Sequence, residues 1–233
     1  LAIRRLPEVG ARAMKIDRYG QAKILTQEEI QKLFSQGLTS SRDRTLFAVM
    51  LYTACRVSET VTLKTKDVYD RAGNVRTEII VRKPHTKGKL ATRTIPAIEE
   101  LRVILSSYKP ARRTGYLFPG KNQRDYLHPD SVGWLLRRAC DRIGLEGVST
   151  HSFRRTALTQ MSRAGIPLRT IQEISGHRSL DELYKYLEVL PEEIRGATAS
   201  LSMLAPLGTA NSVKPSLDEV SREGLSPVRK EGE

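Results

Sequence analysis

Apolar positions recur at helical spacing along most of the chain and switch to strict alternation once. The stretch LTQEEIQKLFSQG (25–37) opens with a capping box, Thr26 at the N-cap and Glu29 three residues on, and stops at Gly37. In SRDRTLFAVMLYTAC (41–55), Leu46, Phe47, Met50, Leu51 and Ala54 fall at helical spacing and predict a buried helix. VSETVTLK (57–64) reads as a short helix after a bend. Between 75 and 98 the period changes: VRTEIIVRKP and ATRTIPAI alternate and are β-branched, with HTKGK between them, which predicts a strand, a basic turn and a strand. Helical patterns then resume in AIEELRVILSSY, in HPDSVGWLLRRACDRIG to Gly144, and in STHSFRRTALTQMSRAG to Gly165. IPLRTIQEISG follows, with Pro167 suited to a first turn. The expected fold class is α+β, mostly α-helical, with a small antiparallel β-sheet.

The flanks differ from this core. Residues 1–24 are basic and broken by Pro7, Gly10 and Gly20, the pattern of a linker or arm. The main domain is expected over 25–190 and a C-terminal helix over 191–205, where Ile194, Ala197, Leu201 and Leu204 form one apolar stripe. That stripe fits simple core packing. Residues 206–233 are mostly polar, Pro, Gly and Ser, and are expected to be disordered. No apolar run approaches the ~20 residues that span a bilayer, and Cys55 and Cys140 lack disulfide or metal-type spacing, so they read as small core residues.

Charge narrows the partner. Lys and Arg number 39 against 26 Asp and Glu, a formal +13, which predicts a polyanion because each neutralised phosphate releases counterions. The basic side chains also cluster. Arg82, Lys83, Lys87, Lys89 and Arg93 populate the hairpin with no acid among them, Lys109, Arg112, Arg113, Lys121 and Arg124 flank a loop, and Arg137, Arg138, Arg142, Arg154 and Arg155 lie on two helices. Phosphate-backbone contact explains this better than scattered solvated charge.

Three local patterns carry possible chemistry. HSFRR sets His151 and Arg154 at i and i+3 on one helix face, with Arg155 pointing elsewhere, so the pair can converge on an oxyanion or form a surface salt-bridge site. ACRVSE puts Arg56 at the end of an apolar helix, where it needs an anion, a partner or helix carbonyls, and Glu59 stands three residues on to orient it. In GHRSLDELYKYLEV, a continuous helix would put Leu180, Leu183, Tyr184 and Leu187 on one stripe, with Tyr186 roughly 110° from its centre. Tyr184 is then expected in the core, and Tyr186 projects away from it.

Taken in order, Arg56 in ACRVSE, a hairpin lysine, HSFRR, and Gly176-His177 followed nine residues later by Tyr186 resemble the tyrosine recombinase, or phage integrase, family over residues 25 to about 190. The resemblance implies the catalytic domain of a DNA breaking and rejoining enzyme. Tyr186 would attack a scissile phosphate and leave a 3′-phosphotyrosyl bond with a free 5′-hydroxyl, needing neither ATP nor metal nor other cofactor. Arg56 and Arg154 would hold the non-bridging oxygens, His151 and His177 would add hydrogen bonds and proton handling, and Glu59 would support the site. The general acid would be Lys87 or Lys89, with the TK pair favouring Lys87; Arg82, Lys83, Lys89, Arg93 and Arg155 are the further DNA-binding candidates. Where many relatives carry paired threonines before the nucleophile, this chain has Asp181-Glu182-Leu183. The implied partners are double-stranded DNA and other copies of the chain, a homo-tetramer on two DNA sites, acting in the cytoplasm, at the nucleoid in a prokaryote; the helix over 191–205 resembles the segment by which relatives dock onto a neighbouring protomer, with core packing as the alternative. The N-terminal DNA-clamping domain usual in the family does not fit within 24 residues, so the chain is expected to be a catalytic fragment, with 1–24 as the interdomain linker, or else a minimal variant, the fragment being favoured. The rival expectations are a type IB topoisomerase-like nicking-closing enzyme and a DNA-binding regulator without catalysis.

Overall fold

The computed structural model describes residues 21–82, 92–110, 115–189 and 191–200. Helix α1 (Gln27–Lys32) begins at the expected capping box: Thr26 Oγ1 accepts the Glu29 N–H at 3.2 Å, and Glu29 returns a carboxylate to the Thr26 N–H at 3.1 Å. It runs into a π-helical turn, Leu33–Gly37, closed by the Leu38 N–H on the Leu33 carbonyl at 2.8 Å. Gly37 ends it where a Cβ would lie 2.9 Å from the Ala139 carbonyl, so only glycine allows this approach to the later helix α6.

Helix α2 (Ser41–Thr53) is the centre of the domain, with every residue from Thr45 to Leu51 buried. An all-round buried helix needs cover on several sides. Helices α5 (Glu99–Ser107) and α7 (Thr150–Arg163) supply part of it, and Phe47 stacks on Phe153 with centroids 5.0 Å apart. Two short helices follow, α3 (Val57–Val61) and α4 (Thr65–Val68), each with an acid at its third position, Glu59 and Asp67. Strands β1 (Glu78–Val81) and β2 (Arg93–Pro96) pair antiparallel with Ile79 opposite Ile95 and Val81 opposite Arg93. Ile79, Val81 and Ile95 face the core. This two-stranded sheet beside helices is the mostly helical α+β fold expected from the sequence.

Helix α6 (Pro129–Ile143) starts on Pro129 and ends at left-handed Gly144. Helix α8 (Leu168–Ser175) ends at Gly176 with φ +66°, and α9 (Leu180–Tyr184) is a single short stretch. Both cysteines are buried free thiols. Ala22 is buried, and its carbonyl accepts Arg155 Nη1 at 2.6 Å. Contacts divide the chain at Glu188 and Val189, and the described part of the second unit holds helix α10 (Pro191–Ala199). Leu201, Leu204 and the 206–233 tail lie outside the described residues, as do residues 1–20.

Candidate active site

The site forms where three chain reversals meet: the end of α2, the end of α8 and the segment after α9. Helix α2 terminates on Ala54 in the left-handed region (φ 50°, ψ 21°), which turns its carbonyl toward α7. Arg154 Nη1 donates to that carbonyl at 2.6 Å, and Nη2 donates to the Ser175 carbonyl at the C-terminus of α8 at 2.9 Å. Both acceptors are helix-end carbonyls that lack an intrahelical donor, so a guanidinium satisfies them and draws on the negative end of each helix. Arg154 is 1% exposed, and no described group accepts its Nε–H. Burial, then the nearby charge of Arg56, lowers its pKa to about 10, which still leaves it charged at neutral pH.

His177 completes this support. Its Nε2 lies 2.9 Å from Arg154 Nη2 and its Nδ1 lies 2.8 Å from Ser175 Oγ, while that hydroxyl donates to the Gln172 carbonyl at 3.2 Å. Arginine only donates, so Nε2 is the acceptor and the proton sits on Nδ1, directed at Ser175. Burial, then the charges of Arg154, Arg56 and Arg93, lower the His177 pKa to about 3, so the ring is neutral at physiological pH. In this arrangement His177 orients Arg154.

Arg56 caps the start of α3 and keeps an 18% exposed side chain, the open member of the arginine pair. Glu59, at 0% exposure, accepts the Arg56 backbone N–H at 2.9 Å and lies 3.5 Å from Arg56 Nη1. Its stronger partner comes from β2: Arg93 Nη2 at 2.9 Å and Nη1 at 3.2 Å. Burial alone would raise the Glu59 pKa, but hydrogen bonding and charge from Arg93 hold it below the usual carboxylate range.

The tyrosines reverse one sequence expectation. Tyr184 is 54% exposed, and Leu183 carries the core contact of α9. Tyr186 instead packs against the small cluster of Ala54, Ala157, Leu158, Ile171 and Leu183. Its ring centroid is 4.9 Å from that of His177 and 5.4 Å from the Arg154 guanidinium carbon. The stripe assumed a continuous helix, but α9 stops at Tyr184, and the N–H groups of Tyr186 and Leu187 bond to carbonyls only three residues back. That tighter turn carries Tyr186 inward, toward the arginines.

Other assignments also move. Arg155, expected on the DNA face, is 5% exposed, holds the Ala22 carbonyl and lies 3.9 Å from Glu188, so it braces the fold. Arg93, expected on the DNA face, is turned inward onto Glu59. Arg82 keeps a 37% exposed side chain while pairing with buried Asp67 at 2.5 Å. His151 lies exposed in the first turn of α7, one turn before Arg154. Lys83, Lys87 and Lys89 fall outside the described residues. The structure therefore gathers Arg56, Glu59, Arg154, His177 and Tyr186, and adds Arg93, Ser175 and the Ala54 carbonyl. Arg93 could have been found from alternation, since it stands two residues before inward-facing Ile95. The αL turn at Ala54 has no clear sequence signal. Among the described residues, no group of three or more His, Cys, Asp or Glu is placed to hold a metal ion.

The arrangement defines a helical domain with two arginines beside a tyrosine, a grouping whose positive charge could hold a phosphate-like anion. The phage integrase family model matches residues 23–193, and the chain belongs to that family, the tyrosine recombinases. It is 30% identical over 189 residues to tyrosine recombinase XerA of Thermococcus onnurineus strain NA1, covering 79% of this chain and 64% of that protein. The chain thus spans less than two thirds of that relative's length. Among solved structures, a crystal structure of XerA recombinase superposes with a TM-score of 0.62 at 23% identity, covering 79% of this chain and 65% of that one. XerH site-specific recombinase bound to palindromic difH substrate, a post-cleavage complex, gives 0.58 at 23% identity, covering 76% and 52%. At these identities the structural likeness concerns the fold.

Proposed function

We propose that this chain is the catalytic domain of a site-specific DNA recombinase that cleaves and rejoins DNA through a 3′-phosphotyrosyl intermediate. The observation that carries the reading is the packing of the Tyr186 ring against His177 and over Arg154, with Arg56 close enough to lower the pKa of Arg154. Two neighbouring guanidiniums repel each other until an anion sits between them. Arg56, Arg93 and Arg154 against Glu59, with His177 neutral, leave a net of two positive charges (3 − 1 = 2). A phosphodiester carries one negative charge, and the pentacoordinate transition state carries about two, so the site matches the transition state better than the ground state.

In the forward step the Tyr186 oxygen bonds to phosphorus and the bond to the 5′-oxygen breaks. The phenolic proton leaves Tyr186, and the departing 5′-oxygen takes up one from a general acid, a role assigned to Lys87. The same step in reverse, with a 5′-hydroxyl from another strand, completes transfer without an external energy source, because the phosphotyrosyl bond conserves the energy of the diester. Arg56 and Arg154 hold the non-bridging oxygens. His177 keeps Arg154 in register, and His151 is assigned to the phosphate from its exposed place at the start of α7. Arg82, Lys83 and Lys89 are assigned to the flanking DNA backbone. A tetramer on two DNA sites is the assembly this chemistry calls for, and the duplex locates the protein wherever the cell keeps its DNA, the nucleoid in a prokaryote.

The test incubates the protein with supercoiled plasmids carrying one or two copies of its cognate site. Recombinant products from two-site plasmids support the proposal. Relaxation without recombination indicates a topoisomerase-like enzyme, and site binding without either indicates a regulator.

A further inference from the structure

We propose that Arg93 is a positioning residue that occupies the carboxylate of Glu59 and so keeps the Arg56 fork free for phosphate; this rests on the reading of the site as a phosphate site. Glu59 is fully buried three residues from Arg56, and a carboxylate there draws in any available guanidinium. Two compete for it. Arg93 makes the short contacts, 2.9 Å and 3.2 Å, whereas Arg56 approaches only to 3.5 Å through its side chain and gives its backbone N–H instead. Without Arg93, the unmatched charge on Glu59 pulls Arg56 inward to form the bidentate pair itself, and the phosphate loses that donor.

The surroundings fix Arg93 in this role. Its Nε donates to the Ile174 carbonyl at 3.0 Å, one residue before the Ser175 carbonyl that holds Arg154. The last turn of α8 therefore sets the spacing of both guanidiniums. Gly176 next to it has no Cβ, and an added one would lie 2.9 Å from Arg93 Nη1 and 3.1 Å from Cζ. From the opposite side, β2 pairs Arg93 with buried Val81. Arg93 touches no reacting atom, and its contribution passes through Glu59 to Arg56.

The test compares Arg93→Gln, Arg93→Lys and the double variant Arg93→Gln/Glu59→Gln with the unaltered chain, each first checked for cooperative thermal unfolding. Inorganic phosphate is titrated by NMR, and the cleavage rate on a nicked DNA duplex is measured at saturating DNA alongside the Kd for that duplex. Arg93→Gln is expected to weaken phosphate binding and slow cleavage by about 10- to 100-fold, the loss of one charged hydrogen-bonding group, with the duplex Kd nearly unchanged. Arg93→Lys, which still neutralises Glu59, and the double variant, which removes the competing carboxylate, are both expected to recover most of the loss. Folded Arg93→Gln with undiminished phosphate binding overturns the proposal, as does a double variant no better than the single. If Arg93→Gln does not fold, Arg93→Lys decides: phosphate binding as weak as that of an Arg56→Gln control overturns the proposal. If the phosphate pattern holds while the unaltered chain never joins covalently to DNA, the recombinase reading fails and the Arg93 inference stands. Normal covalent joining by Arg93→Gln has the opposite meaning.

Discussion

Acid should unfold this domain partly through one side chain, His177. In the folded chain its ring stays neutral down to about pH 3, because it is buried beneath Arg154, Arg56 and Arg93, against a reference value of 6.5. Between those values the unfolded chain binds the additional proton, so stability falls as pH falls through this window and is insensitive to the group above it. A gap of about 3.5 units at ~1.36 kcal/mol each sets a ceiling of about 5 kcal/mol. From about pH 7.5 to 5.0 the unfolded chain goes from mostly neutral to mostly protonated at this group while the folded one stays neutral, which costs about 2 kcal/mol. Glu59, whose pKa is also held low, adds loss in the same direction only below about pH 4.3, where unfolded glutamates protonate, so the upper window isolates the histidine. Urea unfolding at half-unit pH steps measures this. The curve for His177→Asn should be flatter by about 2 kcal/mol over that window, even though its absolute stability is lower. Parallel pH curves for the two proteins would refute the burial and charge argument.

Gly176→Ala should cost about 1–3 kcal/mol in urea unfolding, since it places a side chain at φ +66° and drives a methyl against Arg93. It should also reduce phosphate affinity, whereas Gly144→Ala, also at φ +66° but in open space, should show only the stability loss. Thr26→Ala removes the capping box of α1 and should destabilise by about 1 kcal/mol without altering DNA affinity. Arg155→Met strands the buried Ala22 carbonyl and should cost about 1–3 kcal/mol, and the salt dependence of DNA binding should keep its slope because no phosphate contact is lost.

Periodicity carried the sequence reading a long way. The capping box at Thr26, the buried run through Phe47 and Leu51, the hairpin around Ile79 and Ile95, and the stop at Gly144 all appear where spacing predicted them. What escaped depends on where regular spacing ends. The tyrosine stripe misjudged Tyr184 because α9 is shorter than its apolar pattern, and a turn of three-residue bonds brings Tyr186 inward. Charge misled in the other direction. Arg93 and Arg155 looked like surface cations, yet Arg155 is buried and Arg93 is half-buried, because an orphaned carbonyl waits for the first and a carboxylate for the second. Composition counts such residues toward a DNA-binding face, and only alternation along β2 separates Arg93 from it. The Arg154 pocket depends on the left-handed Ala54 turn, a conformation that sequence seldom announces.

The central claim is that Tyr186 becomes covalently linked to DNA at the arginine site. The most direct measurement uses a nicked duplex whose cleaved fragment diffuses away, trapping the protein on a 3′-phosphate. The unaltered chain, Tyr184→Phe and Tyr186→Phe are compared on denaturing gels, with the linked peptide identified by mass spectrometry. A trapped adduct with the first two proteins and none with Tyr186→Phe is the predicted result. An adduct that persists in Tyr186→Phe, or that disappears in Tyr184→Phe, would contradict the account.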